Sequence, residues 1–188
     1  MNTENQIKGS LYGLIWGDVL GCPVETWMEK EIEQIYGKYD GLPVTYPIDK
    51  IKAWDTKRKK RLRPLGLYSD DGQQALALIQ TCLEPKGWQA MNWRNMLVNG
   101  MEKRAWRGIG GFFTQAVKKM QQGVRTDQAG SHSAGIGSAM RIGPLGAIYR
   151  NEPDTLLKVA LESSLITHAD IRAGAYSYVV ASWPDCAR

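Results

Sequence analysis

The densest group of oxygens suited to a metal is Tyr68-Ser69-Asp70-Asp71-Gly72-Gln73, where a hydroxyl and two adjacent carboxylates fall within one helical turn. Such hard donors are what magnesium takes. The same residue types also start helices, since Ser and Asp cap free amides and oppose the helix dipole, and Asp70 with Gln73 fits a capping box. A second group, residues 131–138, contains Gly135, Gly137 and Ser138. Glycines let a ligand approach the backbone, and free amides opening a helix attract an anion such as a diphosphate. A Gly/Ser turn chosen for close helix packing has the same composition. His168, one of two histidines, stands where a helix dipole alone explains it.

The elements that must position these residues are helical. Apolar residues recur at helical spacing in six or seven segments and alternate at strand spacing almost nowhere, so the fold is expected to be all-α. The first helix covers about residues 6–20. Gly9, Gly13, Gly17 and Gly21 recur along it at four-residue spacing, a pattern that predicts close approach of another helix. Asp18 and the short apolar length argue against a membrane span. Residues 25–67 break into prolines, glycines and a basic loop at about 41–67, with one short helix over Glu29–Tyr36. A helix starting at Asp70 or Asp71 carries Ala75, Leu76, Leu78, Ile79, Cys82 and Leu83 on its apolar face. Further helices follow over 88–106, from Phe112 to a stop at Gly123, from the 131–138 turn to about Tyr149 with a bend at Pro144, over 153–167, and over 170–182 before Pro184.

With 188 residues, 43% hydrophobic and 23% charged, the chain suits one folded domain, 1–188, with its own core. The N-terminus carries no secretory pattern. Three widely spaced cysteines, Cys22, Cys82 and Cys186, fit neither a disulfide framework nor a paired-thiol zinc site, and a cytoplasmic location is the expectation. The net charge of +5 is local, because removing the six basic residues among Lys57, Arg58, Lys59, Lys60, Arg61, Leu62 and Arg63 leaves −1. Without interleaved aromatics this run reads as a solvated loop in preference to a nucleic-acid site.

Four blocks in order carry a wider resemblance. They are Gly9-Ser10-Leu11-Tyr12-Gly13-Leu14-Ile15-Trp16-Gly17-Asp18-Val19-Leu20-Gly21-Cys22-Pro23-Val24-Glu25, the Ser69-Asp70-Asp71 block, Gly135-Ile136-Gly137-Ser138-Ala139-Met140-Arg141, and Thr167-His168. Together they resemble the ADP-ribosylglycohydrolase family, with its G-x-x-x-G-D-A-L-G-x-P-V-E, T-D-D-T-Q, G-N-G-A-x-M-R and T-H segments. The resemblance implies a compact helical bundle and a binuclear magnesium site that cleaves the glycosidic bond of an ADP-ribosylated molecule. It implies Ser69, Asp70 and Asp71 as metal ligands, and Glu25 as a catalytic acid or base. It also implies Gly135, Gly137, Ser138 and His168 as residues binding ADP-ribose. Glu25 equally fits an exposed loop acid. Gly72 stands where the family has a second threonine, and Ile136 where it has asparagine.

The resemblance stops short of the family's late D-x-D-T or D-x-D-S cluster. No D-x-D occurs in the chain, and the only acid after Asp170 is Asp185. Two magnesium ions need about a dozen oxygen positions, so the expectation is one ion or weak binding, of magnesium or manganese. Three readings follow: a weakly active hydrolase using Asp18, Glu25 or Asp170 as replacement ligands, an inactive module binding ADP-ribose or a protein, or a C-terminally truncated member whose exposed helices pair with another chain or a second copy.

Overall fold

The protein is described by a computed structural model that covers residues 3–54 and 62–186. Most of the basic run, residues 57–61, and the Cys186 side chain lie outside what is described. The described residues form ten helices and no strand. In chain order these are α1 (Thr3–Gly21), α2 (Glu29–Tyr36), α3 (Ile48–Trp54), α4 (Asp70–Cys82), α5 (Ala90–Glu102), α6 (Gly111–Gln121), α7 (Thr126–Ala129), α8 (Gly143–Ile148), α9 (Pro153–Leu165) and α10 (Ile171–Cys186). None of the described helices is long and apolar enough to cross a membrane.

The core gathers Leu78 of α4, Trp93 and Leu97 of α5, Phe113, Val117 and Met120 of α6, Leu145 of α8 and Val159 of α9. Each lies on the inward stripe of its helix, the arrangement that helical periodicity encodes. In α4 the stripe is narrower than its sequence indicates, since Leu76 and Leu83 are exposed. Gly123, at φ +86° just past α6, is where a left-handed residue ends a helix.

The glycine stripe of α1 corrects the expectation of close packing. Gly9, Gly13, Gly17 and Gly21 are exposed, and a Cβ at any of them would meet nothing within 4 Å. α1 instead turns Ile7, Leu11, Leu14, Ile15 and Asp18 inward, roughly opposite the glycines at the 100° per residue of a helix. Close approach is reserved for other glycines. A Cβ at Gly146 of α8 would run into the Ala181 carbonyl of α10, and one at Gly72 of α4 would stand 2.6 Å from Ile15 of α1 and 2.8 Å from Tyr68.

Three boundaries also differ, the first being α3 at Ile48–Trp54, a helix inside the stretch expected to be a basic loop. Residues 139–149 form not one bent helix but a 3-10 turn at Ala139–Arg141 followed by α8, with Pro144 in its first turn. Proline is tolerated there because its missing N–H would have no helical partner. α10 continues past Ser182 and Pro184 to Cys186. A proline there costs the hydrogen bond that its missing N–H would make to the preceding turn.

Candidate active site

The first wall of the main cleft is the N-terminus of α4. Ser69 is its N-cap, accepting from the Asp71 amide at 3.3 Å and donating to Asp71 Oδ1 at 3.1 Å. Asp18 reaches over from α1, and its Oδ2 accepts from the amides of Ser69 (2.7 Å) and Gly72 (2.9 Å). Two helices are thereby clamped at one carboxylate, which satisfies amides that the helix start leaves free. A Cβ at Gly72 would meet Ile15, Tyr68 and Asp18 Oδ2 within 2.6 to 3.2 Å, so a side chain there needs its neighbours to move. The Asp70–Gln73 capping box does not form. Gln73 instead donates to Ala105 O and accepts from the Arg107 amide.

Asp70 is 6% exposed, and its Oδ2 accepts from Gln74 at 3.1 Å. Burial, then the charges of Asp71 and Glu25, push its pKa up to about 7. Asp71 is raised by burial and by Asp18, against the Ser69 hydrogen bond. A carboxylate pair in this state carries negative charge that the protein does not fully compensate.

Glu25 lies on the rim of the same cleft, where Arg63 donates to it at 2.6 Å. The Arg63 guanidinium lies against Gly108, a position at φ +84° with no room for a Cβ. It also reaches Cys22 Sγ at 3.5 Å, whose thiol is pushed up to about 11 mainly by burial. Arg63 therefore comes out of the basic run and turns inward, although the run as a whole reads as solvated.

The second wall is uncharged. Ser131 and His168 form a parallel bridge, with the Ser131 amide donating to Thr167 O and the Ala169 amide to Ser131 O. Gly135, Ile136, Gly137 and His168 line the cleft beside Gly110, Gly111 and Phe112 at the start of α6. α6 has no side-chain cap, so amides of its first turn remain available. Ser138 does not line the cleft. It is 1% exposed, and its hydroxyl donates to Ala173 O.

Behind both walls lies Arg141, fully buried without a carboxylate on its guanidinium. It donates to Gln74 Oε1 (2.6 Å), Ser163 O (2.8 Å) and Thr167 Oγ1 (2.9 Å), and lies 5.1 Å over the Trp93 ring. Burial lowers its pKa to about 9. Through Gln74 it reaches Asp70, and through Thr167 it reaches His168. His168 is itself lowered to about 4 by burial and by the Arg141 charge.

The cleft holds about 640 Å³ and gathers Glu25, Ser69, Asp70, Asp71, Gly135, Gly137 and His168 from segments far apart in sequence. That volume lies within the range of small-molecule sites. The sequence profile of the ADP-ribosylglycohydrolase family matches residues 1–183. The chain belongs to this family. It is 30% identical over 95% of its length to an uncharacterized protein of Archaeoglobus fulgidus, covering 55% of that protein. It is 24% identical over 88% of its length to the ADP-ribosylhydrolase ARH3 of Xenopus tropicalis, covering 45% of it. The chain thus spans about half the length of the curated relatives it matches.

The three replacement ligands suggested by the sequence are engaged elsewhere. Asp18 holds the α4 amides, Glu25 holds Arg63, and Asp170 forms a two-point pair with Arg172 (3.0 and 2.7 Å) outside the cleft. Among the described residues no group of three or more His, Cys, Asp or Glu is arranged for a metal ion. Arg63, Phe112 and Met140 line the cleft without having been singled out as site residues. Phe112 reads in sequence as a core residue because it shares a helix stripe with Phe113. Both lie in the first turn, and only the fold separates them, leaving Phe112 exposed and Phe113 buried.

Proposed function

We propose that the cleft binds the ADP-ribose unit of an ADP-ribosylated molecule and hydrolyses its glycosidic bond slowly, with one hard divalent cation, magnesium or manganese, at Asp70 and Asp71. The observation that carries this reading is the convergence, in a member of this family, of buried Asp70 and half-buried Asp71, both raised by burial and by neighbouring acids, with Glu25 and a neutral glycine-lined wall on one cleft. The residues fit one ion: two carboxylates with water and substrate oxygens meet the needs of a single magnesium, and a cation would relieve their repulsion. The described residues of this cleft do not by themselves supply the roughly dozen oxygens that a pair needs.

When bound, the cation would supply charge to hold ribose hydroxyls and to stabilise charge developing at the anomeric carbon. The remaining work falls to this chain's own residues. Ser69 fixes Asp71 through its hydroxyl, and Asp18 fixes the start of α4 that carries both aspartates. Glu25, once freed from Arg63, is placed on the rim to take a proton from the attacking water, and it needs hydrogen-bond reach to do so. The amides opening α6 and the backbone at Gly135 and Gly137 suit the diphosphate. The exposed ring of Phe112 offers a planar base a stacking face.

A second reading, an inactive ADP-ribose-binding module, is favoured by the engagement of Asp18, Glu25 and Asp170 with other groups. One assay tests both: release of free ADP-ribose from an ADP-ribosylated peptide with magnesium, alongside ADP-ribose binding to the same chain. The expected result is binding with slow release that the Asp70→Ala, Asp71→Ala double variant loses. Binding with no release supports the inactive module, and absence of ADP-ribose binding overturns both readings.

A further inference from the structure

The ring of His168 is held by a hydroxyl whose own hydrogen-bonding choices are nearly exhausted. Thr167 Oγ1 lies 2.9 Å from His168 Nδ1, 2.9 Å from Arg141 Nη2 and 3.3 Å from Ser164 O. A guanidinium only donates, so one lone pair of the hydroxyl accepts from Arg141. The hydroxyl proton then goes either to Nδ1 or to Ser164 O. That carbonyl already accepts from the His168 amide at 2.8 Å and the Thr167 amide at 3.0 Å. Two amides match its two lone pairs, and the contact to Nδ1 is the shorter one.

We propose that Thr167 donates to His168 Nδ1 and thereby holds the ring as its Nε2–H tautomer, so that Thr167, oriented by Arg141, is a positioning residue that presents a fixed hydrogen-bond donor to the cleft. Three further observations agree. The edge bearing Nε2 faces Gly137, where a Cβ would stand 2.8 Å from it, so only glycine leaves that edge open. Among the described residues no protein group accepts from Nε2, although His168 lines the cleft. Burial and the charge of Arg141 also disfavour a second proton on the ring, which leaves it neutral with a single N–H.

A neutral ring with its proton on Nε2 is a donor with one orientation, suited to an acceptor oxygen of a bound ligand, such as a phosphate or hydroxyl oxygen. It is not a base, because its only lone pair is occupied by Thr167. The ligand half of this inference rests on the ADP-ribose reading, whereas the tautomer does not.

The experiment is two-dimensional nitrogen–proton NMR of the imidazole rings in the full chain at neutral pH, paired with ADP-ribose titration. Two histidines keep the spectrum simple, and His132→Gln assigns it. The expected wild-type result is a protonated Nε2 and an unprotonated, hydrogen-bonded Nδ1 in His168. Thr167→Val should lose that fixed pattern and weaken ADP-ribose binding roughly two- to tenfold, the worth of one neutral hydrogen bond. Thr167→Ser, which keeps the hydroxyl, should restore both. A wild-type Nδ1–H tautomer, or an unchanged tautomer in Thr167→Val, overturns the proposal. If the tautomer is as expected and wild-type chain binds no ADP-ribose, the functional reading fails and the positioning role of Thr167 stands.

Discussion

Asp70 on one wall of the cleft and His168 on the other are both buried, yet burial moves them in opposite directions. Asp70 is pushed up to about 7 and His168 down to about 4. Both shifts favour the uncharged form, and the two walls resist charge for different reasons. The acidic wall collects Asp18, Asp70, Asp71 and Glu25, so each added negative charge is repelled by its neighbours. The neutral wall is backed by a buried guanidinium, so an added positive charge is repelled. On the proposed function, the acidic wall would take a cation and the other wall an uncharged or anionic part of a ligand.

The largest expected effect comes from breaking the acidic wall sterically. Gly72→Thr, which restores the residue the family carries at this point, should destabilise the chain by roughly 1–3 kcal/mol through overpacking against Ile15 and Tyr68. Chemical denaturation checks this, and an unchanged midpoint would show that α1 and α4 have room between them. The family's threonine would then be a simple absence and not an exclusion.

The next effect is in the pH dependence, where the two walls should oppose one another. Between about pH 4 and 7 native Asp70 holds a proton that the unfolded chain has released, so its contribution to stability falls as pH rises. Between about pH 4 and 6.5 unfolded His168 holds a proton that the native ring lacks, so its contribution rises with pH. Urea unfolding from pH 4.5 to 8 should therefore show a steeper fall in stability in His168→Gln than in the wild type. Asp70→Asn should show a rise up to about pH 6.5. Parallel profiles in all three proteins would remove the contrast.

Much of the architecture is legible from helical spacing alone, including a short helix near Glu29–Tyr36, the start of α4 and the glycine stop after α6. The direction in which a helix faces is less so. On α1 the glycines and the buried stripe both repeat at helical spacing, and nothing in the spacing says which one meets a neighbour. Gly72 and Gly146, which do pack closely, belong to no such stripe. The site divides in the same way. Asp70, Asp71, Glu25, Gly135, Gly137 and His168 meet at one cleft as their motifs imply, while Ser138 faces inward although it sits in the same motif. Arg141 carries no visible sign of linking the two walls, because its partners Gln74, Ser163 and Thr167 come together only in the fold.

The smallest effect belongs on the outer face of α1. Gly13→Ala should stabilise the chain by about 0.5–1 kcal/mol, since the position is exposed, helical and open to a Cβ. A loss of stability would show that this face is covered in solution.

On the proposed function the acidic wall accepts a single hard cation and ADP-ribose binds beside it. Calorimetric titration of magnesium into the full chain, with and without saturating ADP-ribose, tests it directly. The predicted result is one weakly bound ion per chain, held more tightly when ADP-ribose is present and lost in the Asp70→Ala, Asp71→Ala variant. Two ions per chain, or no magnesium binding with or without ADP-ribose, would contradict it.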